Sequence, residues 1–295
     1  MQGTLKPNGS GDAAAVINHA IASIGEIATL PEITVRIIQI VEDQKSTARE
    51  LHGVIKNDPA LSSKILKVVN SAFYGLPGQV SNVDRAIVLL GLSAVKNIAI
   101  AASMTRLFQG GANVEGFTGM DLWRHSTAVG SAARLIAKNQ GAQAMEELYL
   151  AGLIADLGLL ILRQALPKKL AEIIARHRAA PKPFSQIEEE IVGADHQAFG
   201  QALAGKWRFP KGLCTVIGYH HKPHLLQPEF KHMVEIVHVA DILACKADIG
   251  FSRPAAHEEL SEAKLQTVGL TAEKAAEIQA ELPEQVRMAE SLFHN

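Results

Sequence analysis

Apolar residues recur along this chain at helical spacing. Ile33, Ile37, Ile40 and Val41 form one set and Leu61, Ile65, Val68 and Val69 another, each falling at i, i+4, i+7, i+8. Alternating patterns of the strand type are scarce, so the sequence predicts an all-α protein. Asp58-Pro59 supplies a helix N-cap followed by proline at the first helical position. Ser81 with Asp84 starts a helix that stops at Gly91, and Ser93 can cap the next one. Gly110-Gly111 breaks the pattern, and the stretch through Gly119 reads as a linker before a helix bearing Trp123 and His125. A helix ending at Gly141 follows, then one strongly apolar helix across residues 148–162 that must end before Pro167. Residues 196–207 form a helix stopping before Pro210, another brings up His220-His221, and Asp241 lies on the next. These signals divide the chain into a disordered lead (1–15), an N-terminal helical half (16–112), a second helical half (116–250) and a solvated amphipathic tail (251–295).

Composition narrows the classes of function. A chain of 295 residues with 47% hydrophobic content has ample material for a packed core. Its 29 basic and 30 acidic residues give a net charge of -1, and no electrostatic reason to expect nucleic acid or an anionic membrane as partner. The two cysteines, Cys214 and Cys245, have neither metal-ligand spacing nor a disulfide framework, and read as small buried hydrophobes in a reducing cytoplasm. The opening residues MQGTLKPNGSGD carry no apolar run behind a basic start, so a secretory signal is not expected. No membrane-spanning segment is expected either: the apolar run at 148–162 falls short of the roughly 20 residues needed, and 86–104 is interrupted by Lys96 and Asn97.

One residue contradicts its surroundings. Asp156 sits in the otherwise uncharged run LYLAGLIADLGLLIL, where a carboxylate buried without a partner would cost several kcal/mol. Its candidate partners are His125, His196, the adjacent pair His220 and His221, and Asp241 within the apolar stretch MVEIVHVADILA. An acid among histidines points to a divalent transition metal site, and equally to a buried Asp-His hydrogen-bond cluster without metal. His238, three residues before Asp241, is expected to orient that carboxylate. Trp123 and Trp207 are expected in the core, and the basic cluster Lys168, Lys169, Arg176, His177 and Arg178 on a solvated helix face.

The segments LPEITVRIIQIV, NDPALSSKILKVVNSAFYG and AIVLLGLSAVKNIAI resemble the first half of the bacterial HDOD domain. The resemblance continues in family order through LWRHSTAVG, LYLAGLIADLGLLIL, ADHQAFGQALAGKWRFP and IGYHHKP, over about residues 30–245. NSAFYG at 70–75 is its most distinctive piece, and Phe73-Tyr74 within it is expected to close the interface between the two halves. The family implies an N-terminal helical half packed against a bundle like that of the HD phosphohydrolases. It also implies a regulatory or signalling output role in a bacterial pathway, with a protein partner or a small nucleotide as its ligand.

By that resemblance the superfamily's metal ligands fall on His125, Asp156, His196, His220, His221 and Asp241. One ion, of iron, manganese or zinc, would have His125, Asp156 and Asp241, and a second Asp156, His196, His220 and His221. The hallmark histidine is Ala155, the lysine often found three residues past the Asp is Leu159, and the Gly-Tyr-Pro signature of the cyclic di-GMP phosphodiesterase branch is missing after His221-Lys222-Pro223. Asp121, one turn before His125, could substitute for the lost ligand. The resemblance therefore implies a non-catalytic module with no assigned catalytic residue. The alternative is a metal-dependent phosphohydrolase acting on a nucleotide or cyclic dinucleotide.

Overall fold

A computed structural model describes residues 11–25, 32–42, 45–71, 74–142, 144–180 and 182–293. Among them every regular element is helical, and the one bridge of the strand type joins Val114 to Phe117. The first lobe is built from α2 (Glu32–Glu42), α3 (Ala48–Lys56), α4 (Pro59–Val69), α5 (Val83–Leu90) and α6 (Leu92–Met104), preceded by α1 (Gly11–Ser23). The second comprises α7 (Gly119–Asn139), α8 (Met145–Ile154), α9 (Leu157–Ala165), α10 (Pro167–Ala179), α11 (Phe184–Val192), α12 (His196–Lys206), α13 (Lys211–Tyr219) and α14 (Pro228–Lys246). Helices α15 (Glu262–Thr267) and α16 (Ala272–Phe293) complete the chain.

Local chemistry sets most boundaries. Asp58 accepts the backbone N–H of Leu61 at 2.9 Å, with Pro59 at the first helical position. At the start of α5 the cap is Asn82, whose side chain accepts from Arg85 N–H, and not Ser81. Ser93 caps nothing, because α6 already begins at Leu92 on the far side of Gly91. Lys96, which interrupts the apolar run of α6, is buried with its ammonium donating to the Ile40 carbonyl at 2.9 Å and the Ser46 hydroxyl at 2.7 Å. These bonds satisfy a charge that would otherwise oppose burial.

The expected domain boundaries need correction at both ends. Residues 11–15 of the expected lead belong to α1, where Ala13 is buried, and this helix packs on α9 and α12 of the second lobe. The expected solvated tail is docked: α16 buries Ala275, Ile278, Leu282, Val286 and Ala289 against α7, α14 and α4. Its charged positions face outward, so the amphipathic pattern was real and its apolar face has a partner.

One hydrophobic core runs through both lobes, with α6 packed on α8. Helices α7 and α8 approach so closely that a Cβ on Gly152 would meet Gly130 Cα at 2.8 Å. Tyr74 of the distinctive motif crosses the junction, its hydroxyl donating to Glu146 at 2.5 Å, while Arg134 Nε donates to the same carboxylate at 3.0 Å. The guanidinium also lies 5.1 Å from the Tyr74 ring centre. Phe73, assigned the same role from sequence, lies outside the described residues. Trp123 and Trp207 are buried, and in the basic cluster Lys169 and Arg176 pair with Glu172 and Glu190 on the surface, whereas His177, expected on the same solvated face, is buried with its ring 5.4 Å from that of Phe184.

Because the core crosses the junction, a fragment of residues 1–112 should expose apolar surface and aggregate; a soluble fragment with its own cooperative melt would contradict this packing. Tyr74→Phe removes a hydrogen bond to a charged group and should cost the full chain about 2 kcal/mol in denaturant unfolding.

Candidate metal centre

The strongly apolar segment does not run on as one helix. It breaks at Ala155-Asp156, between α8 and α9, and Asp156 makes no side-chain cap. Its carboxylate, 2% exposed, turns instead toward histidines carried by separate helices. The chain can approach here because residue 158 is glycine: a Cβ would lie 1.8 Å from the His196 carbonyl oxygen.

All six predicted residues converge, in two arrangements. Asp156 Oδ1 lies 3.5 Å from His196 Nε2 and 3.5 Å from His220 Nε2, and ligand atoms of Asp156, His196, His220 and His221 lie within 4.8 Å of one another. The far nitrogens are already committed. His196 Nδ1 donates to Glu188 Oε2 at 2.6 Å, and His220 Nδ1 donates to the Ile217 carbonyl at 3.1 Å. Each bond keeps Nδ1 occupied and leaves Nε2 aimed at the centre, where it becomes a ligand once deprotonated. Asp156 Oδ1, His196 Nε2, His220 Nε2 and both ring nitrogens of His221 are buried without a hydrogen-bond partner. Orphaned groups of this kind cost about 1–3 kcal/mol each. A spacing of 3.5 Å matches the edge of a tetrahedron, about 3.4 Å for bonds of about 2.1 Å, and three imidazoles with one carboxylate suit a divalent transition metal.

The second arrangement is a closed hydrogen bond. His125 Nε2 donates to Asp241 Oδ1 at 2.9 Å and lies 3.4 Å from Asp156 Oδ2, while the Cys245 thiol lies 3.6 Å from Asp241 Oδ1. Ala155 offers no ligand here, and Asp121 does not replace it. That side chain stays at the start of α7, accepting from the Thr118 hydroxyl at 2.6 Å and 3.5 Å from Arg124.

His238 also departs from expectation. Its Nδ1 donates to the His220 carbonyl at 2.7 Å, and its Nε2 lies 3.2 Å from Glu258, so it braces the His220 backbone and not Asp241. The His220-His221 corner is tied from the other side, where His221 N–H donates to Gln197 Oε1 at 2.9 Å. Sequence reading missed Glu188, Glu258 and the placement of Cys245. Glu188 alone carried a signal: among three consecutive glutamates it is the one spaced with Phe184 and Ile187 on the buried face of α11. Glu258 lies in a segment without regular structure, where no periodicity marks it.

Charge in the cluster follows these contacts. Burial opposes the imidazolium of His125, yet hydrogen bonds to Asp156 and Asp241 outweigh it and raise the group to about 10. His196 is likewise opposed by burial and raised to about 9 by Glu188 and Asp156, whereas burial drives His221 down to about 4. Burial acts to raise Asp156 and Asp241, but their histidine contacts hold both carboxyls below the ordinary range.

Residues 27–223 match the HDOD domain family. An uncharacterised protein of Treponema pallidum (strain Nichols) is 28% identical over 224 residues, covering 74% of this chain. The chain spans 42% of that relative's length. A solved HDOD domain protein of unknown function from Geobacter sulfurreducens superposes with a TM-score of 0.80 at 23% identity, covering 95% of this chain and 97% of its own. A candidate signal transduction protein from Marinobacter aquaeolei VT8 gives a TM-score of 0.75 at 20% identity, covering 98% of this chain and 68% of its own. At these identities the two structures are alike in fold. No helix among the described residues is long and apolar enough to cross a membrane.

The raised histidines fix a pH test. Their stabilising contribution is complete below about 6.5, the unfolded value, and is lost as pH rises through about 9 for His196 and about 10 for His125. Metal-free protein should therefore lose melting temperature from about pH 7 to pH 10. Metal ligation needs His196 Nε2 deprotonated, so the stabilisation gained on adding metal should grow over the same range. Identical pH profiles with and without metal would show that no metal engages His196.

Proposed function

The chain belongs to the HDOD family, and on that footing we propose that it is a regulatory output module of a bacterial signalling pathway whose degenerate HD-type centre holds one metal ion as a structural tie. Asp156, His196, His220 and His221 would be the ligands, and His125 with Asp241 would form the hydrogen-bonded pair beside them. A bound iron, manganese or zinc ion would supply neutral pairing for the carboxylate and cross-link the α8–α9 break to α12 and α13. The likeness in fold to a candidate signal transduction protein supports the signalling role. Cys214 and Cys245, which form no disulfide, support a reducing, cytoplasmic setting. A protein partner or a small nucleotide is the expected ligand, and the balanced charge argues against nucleic acid.

The observation that carries the non-catalytic reading is enclosure. His125, Asp156, His196, His220 and Asp241 are each at most 2% exposed, and the flanking positions are Ala155 and Leu159, both buried and apolar. Hydrolysis of a phosphoester needs an attacking water in line with phosphorus and cationic groups on the transferring oxygens. Here the ligands face one another in a closed space, and the two positions where the phosphohydrolases supply a further ligand and a lysine offer only hydrocarbon.

Purified protein should show negligible turnover of cyclic di-GMP and of simple phosphodiesters with manganese or iron added. Turnover that vanishes in Asp156→Asn would replace this reading with the phosphohydrolase one. Protein grown with metal supplementation should carry about one ion per chain, and chelation should lower its melting temperature by linkage. Asp156→Ala should lose both the ion and the chelator response. Metal-free native protein with a chelator-insensitive melt would leave Asp156 as a partner in a hydrogen-bond cluster only.

A further inference from the structure

We propose that His238 and Glu258, with His221 at the border of the enclosed group, form a second cation site that takes an exchangeable divalent transition metal, His221 giving one ring nitrogen to each site and losing its ring proton when both are filled. One ligand atom from each lies within 4.8 Å of the others. All three line a cleft of about 470 Å³ that is bordered by Lys231, Glu235 and Lys264. This site goes beyond the regulatory reading and does not depend on it.

Hydrogen bonds constrain the lone pairs of these rings. His238 Nδ1 must carry its proton, because it faces the His220 carbonyl at 2.7 Å and a carbonyl only accepts. The neutral ring then presents a bare Nε2 to Glu258 Oε2 at 3.2 Å, so two acceptors face each other. His221 Nδ1 lies 3.4 Å from the other Glu258 oxygen, and neither ring nitrogen of His221 is hydrogen-bonded. Glu258 and the two rings thus offer a cation three ligand atoms within 4.8 Å of one another. Lys264 Nζ supplies part of that charge, 2.8 Å from Glu258 Oε2, but it reaches neither imidazole through any contact the structure contains. Its side chain is about one-third exposed and can swing into solvent. Lys264 thus reads as a tethered competitor that neutralises Glu258 when no metal is present.

Two imidazoles and one carboxylate are the donor set of an open metal site, which completes its coordination with water or an anionic ligand. In the enclosed group Asp156, His196 and His220 are each at most 2% exposed, and only His221 meets the cleft. The two sites should therefore differ in exchange rate: one slow to release its ion, the other in equilibrium with the medium.

The test is cobalt(II) titration of the full chain at neutral pH, read by its visible absorption and by elemental analysis after equilibrium dialysis. Two ions per chain are expected, one of them removed quickly by chelator. Glu258→Gln should abolish the fast ion and keep the slow one, His238→Gln should abolish the fast ion, and Asp156→Asn should lose the slow ion and keep the fast one. Lys264→Gln, a surface change that leaves the fold intact, should tighten the fast site several-fold because its competitor is gone. A purely structural Lys264–Glu258 ion pair would show no such gain. Unchanged cobalt binding in His238→Gln, Glu258→Gln and Lys264→Gln overturns the proposal. A single slow ion, lost only in Asp156→Asn, also overturns it while leaving the regulatory reading in place. Uptake of the fast ion alone would support the outer site and overturn the enclosed one, and no uptake would overturn both.

Discussion

The carboxylate of Asp156 is the constraint around which the second lobe is arranged. Bringing one charged oxygen pair into an apolar interior costs several kcal/mol after relaxation, against a total folding stability of about 5–15 kcal/mol for an ordinary domain. Helices α7, α12 and α13 contribute to compensating it. Helix α7 brings His125 to one oxygen, and α12 and the end of α13 bring His196 and His220 to the other. The supporting bonds extend outward, from His196 to Glu188 on α11 and from the His220 carbonyl to His238 on α14. Displacing any of these helices by an ångström would break one of these supporting bonds or spread the donors around Asp156, so the site and the packing of the lobe are one requirement.

That dependence explains what could be read from the chain. Asp156 stood out because a lone acid in an apolar run contradicts the pattern around it, and helix ends at Asp58-Pro59, Gly91 and Gly141 are marked by residues with local backbone roles. The break at Ala155-Asp156 had no such mark. Neither glycine nor proline stands there, and local propensity favours a continuous helix; the chain breaks because the carboxylate must leave the helix face to meet three histidines. His238 was misread for a related reason. Its spacing from Asp241 puts both on neighbouring turns of α14, but the ring is held by a carbonyl from a different helix, which no intrahelical spacing predicts.

The outer parts of the chain show the same division between pattern and partner. Amphipathic periodicity identified an apolar face on the C-terminal helix without saying what it covers, and the structure sets that face on α7, α14 and α4. With α1 lying on α9 and α12, segments from both ends of the described chain pack on the second lobe, and α16 spans to the first. Arg124 on α7 pairs with Glu290 on α16 at 2.7 Å and close by meets Asp121, the acid that sequence spacing offered as a ligand. An acid one turn from His125 can serve the surface or the site, and here the turn of the helix places it at the surface.

The two halves of the centre differ in how their donors are paired. On the side of Ala155, the remaining His125 and Asp241 close on each other at 2.9 Å, and a proton does the pairing that a cation would otherwise do. On the far side, the donors stay apart at 3.5 Å because their other nitrogens are anchored to Glu188 and to the Ile217 carbonyl, so collapse would cost those bonds. The anchors are therefore what keeps a metal-sized gap in one half while the other has healed over. On the proposed reading, an ion held by Asp156, His196, His220 and His221 can hold helices together but has no second ion on the side of His125 and Asp241 with which to activate water for attack on a phosphoester, so the structural tie would remain without that chemistry.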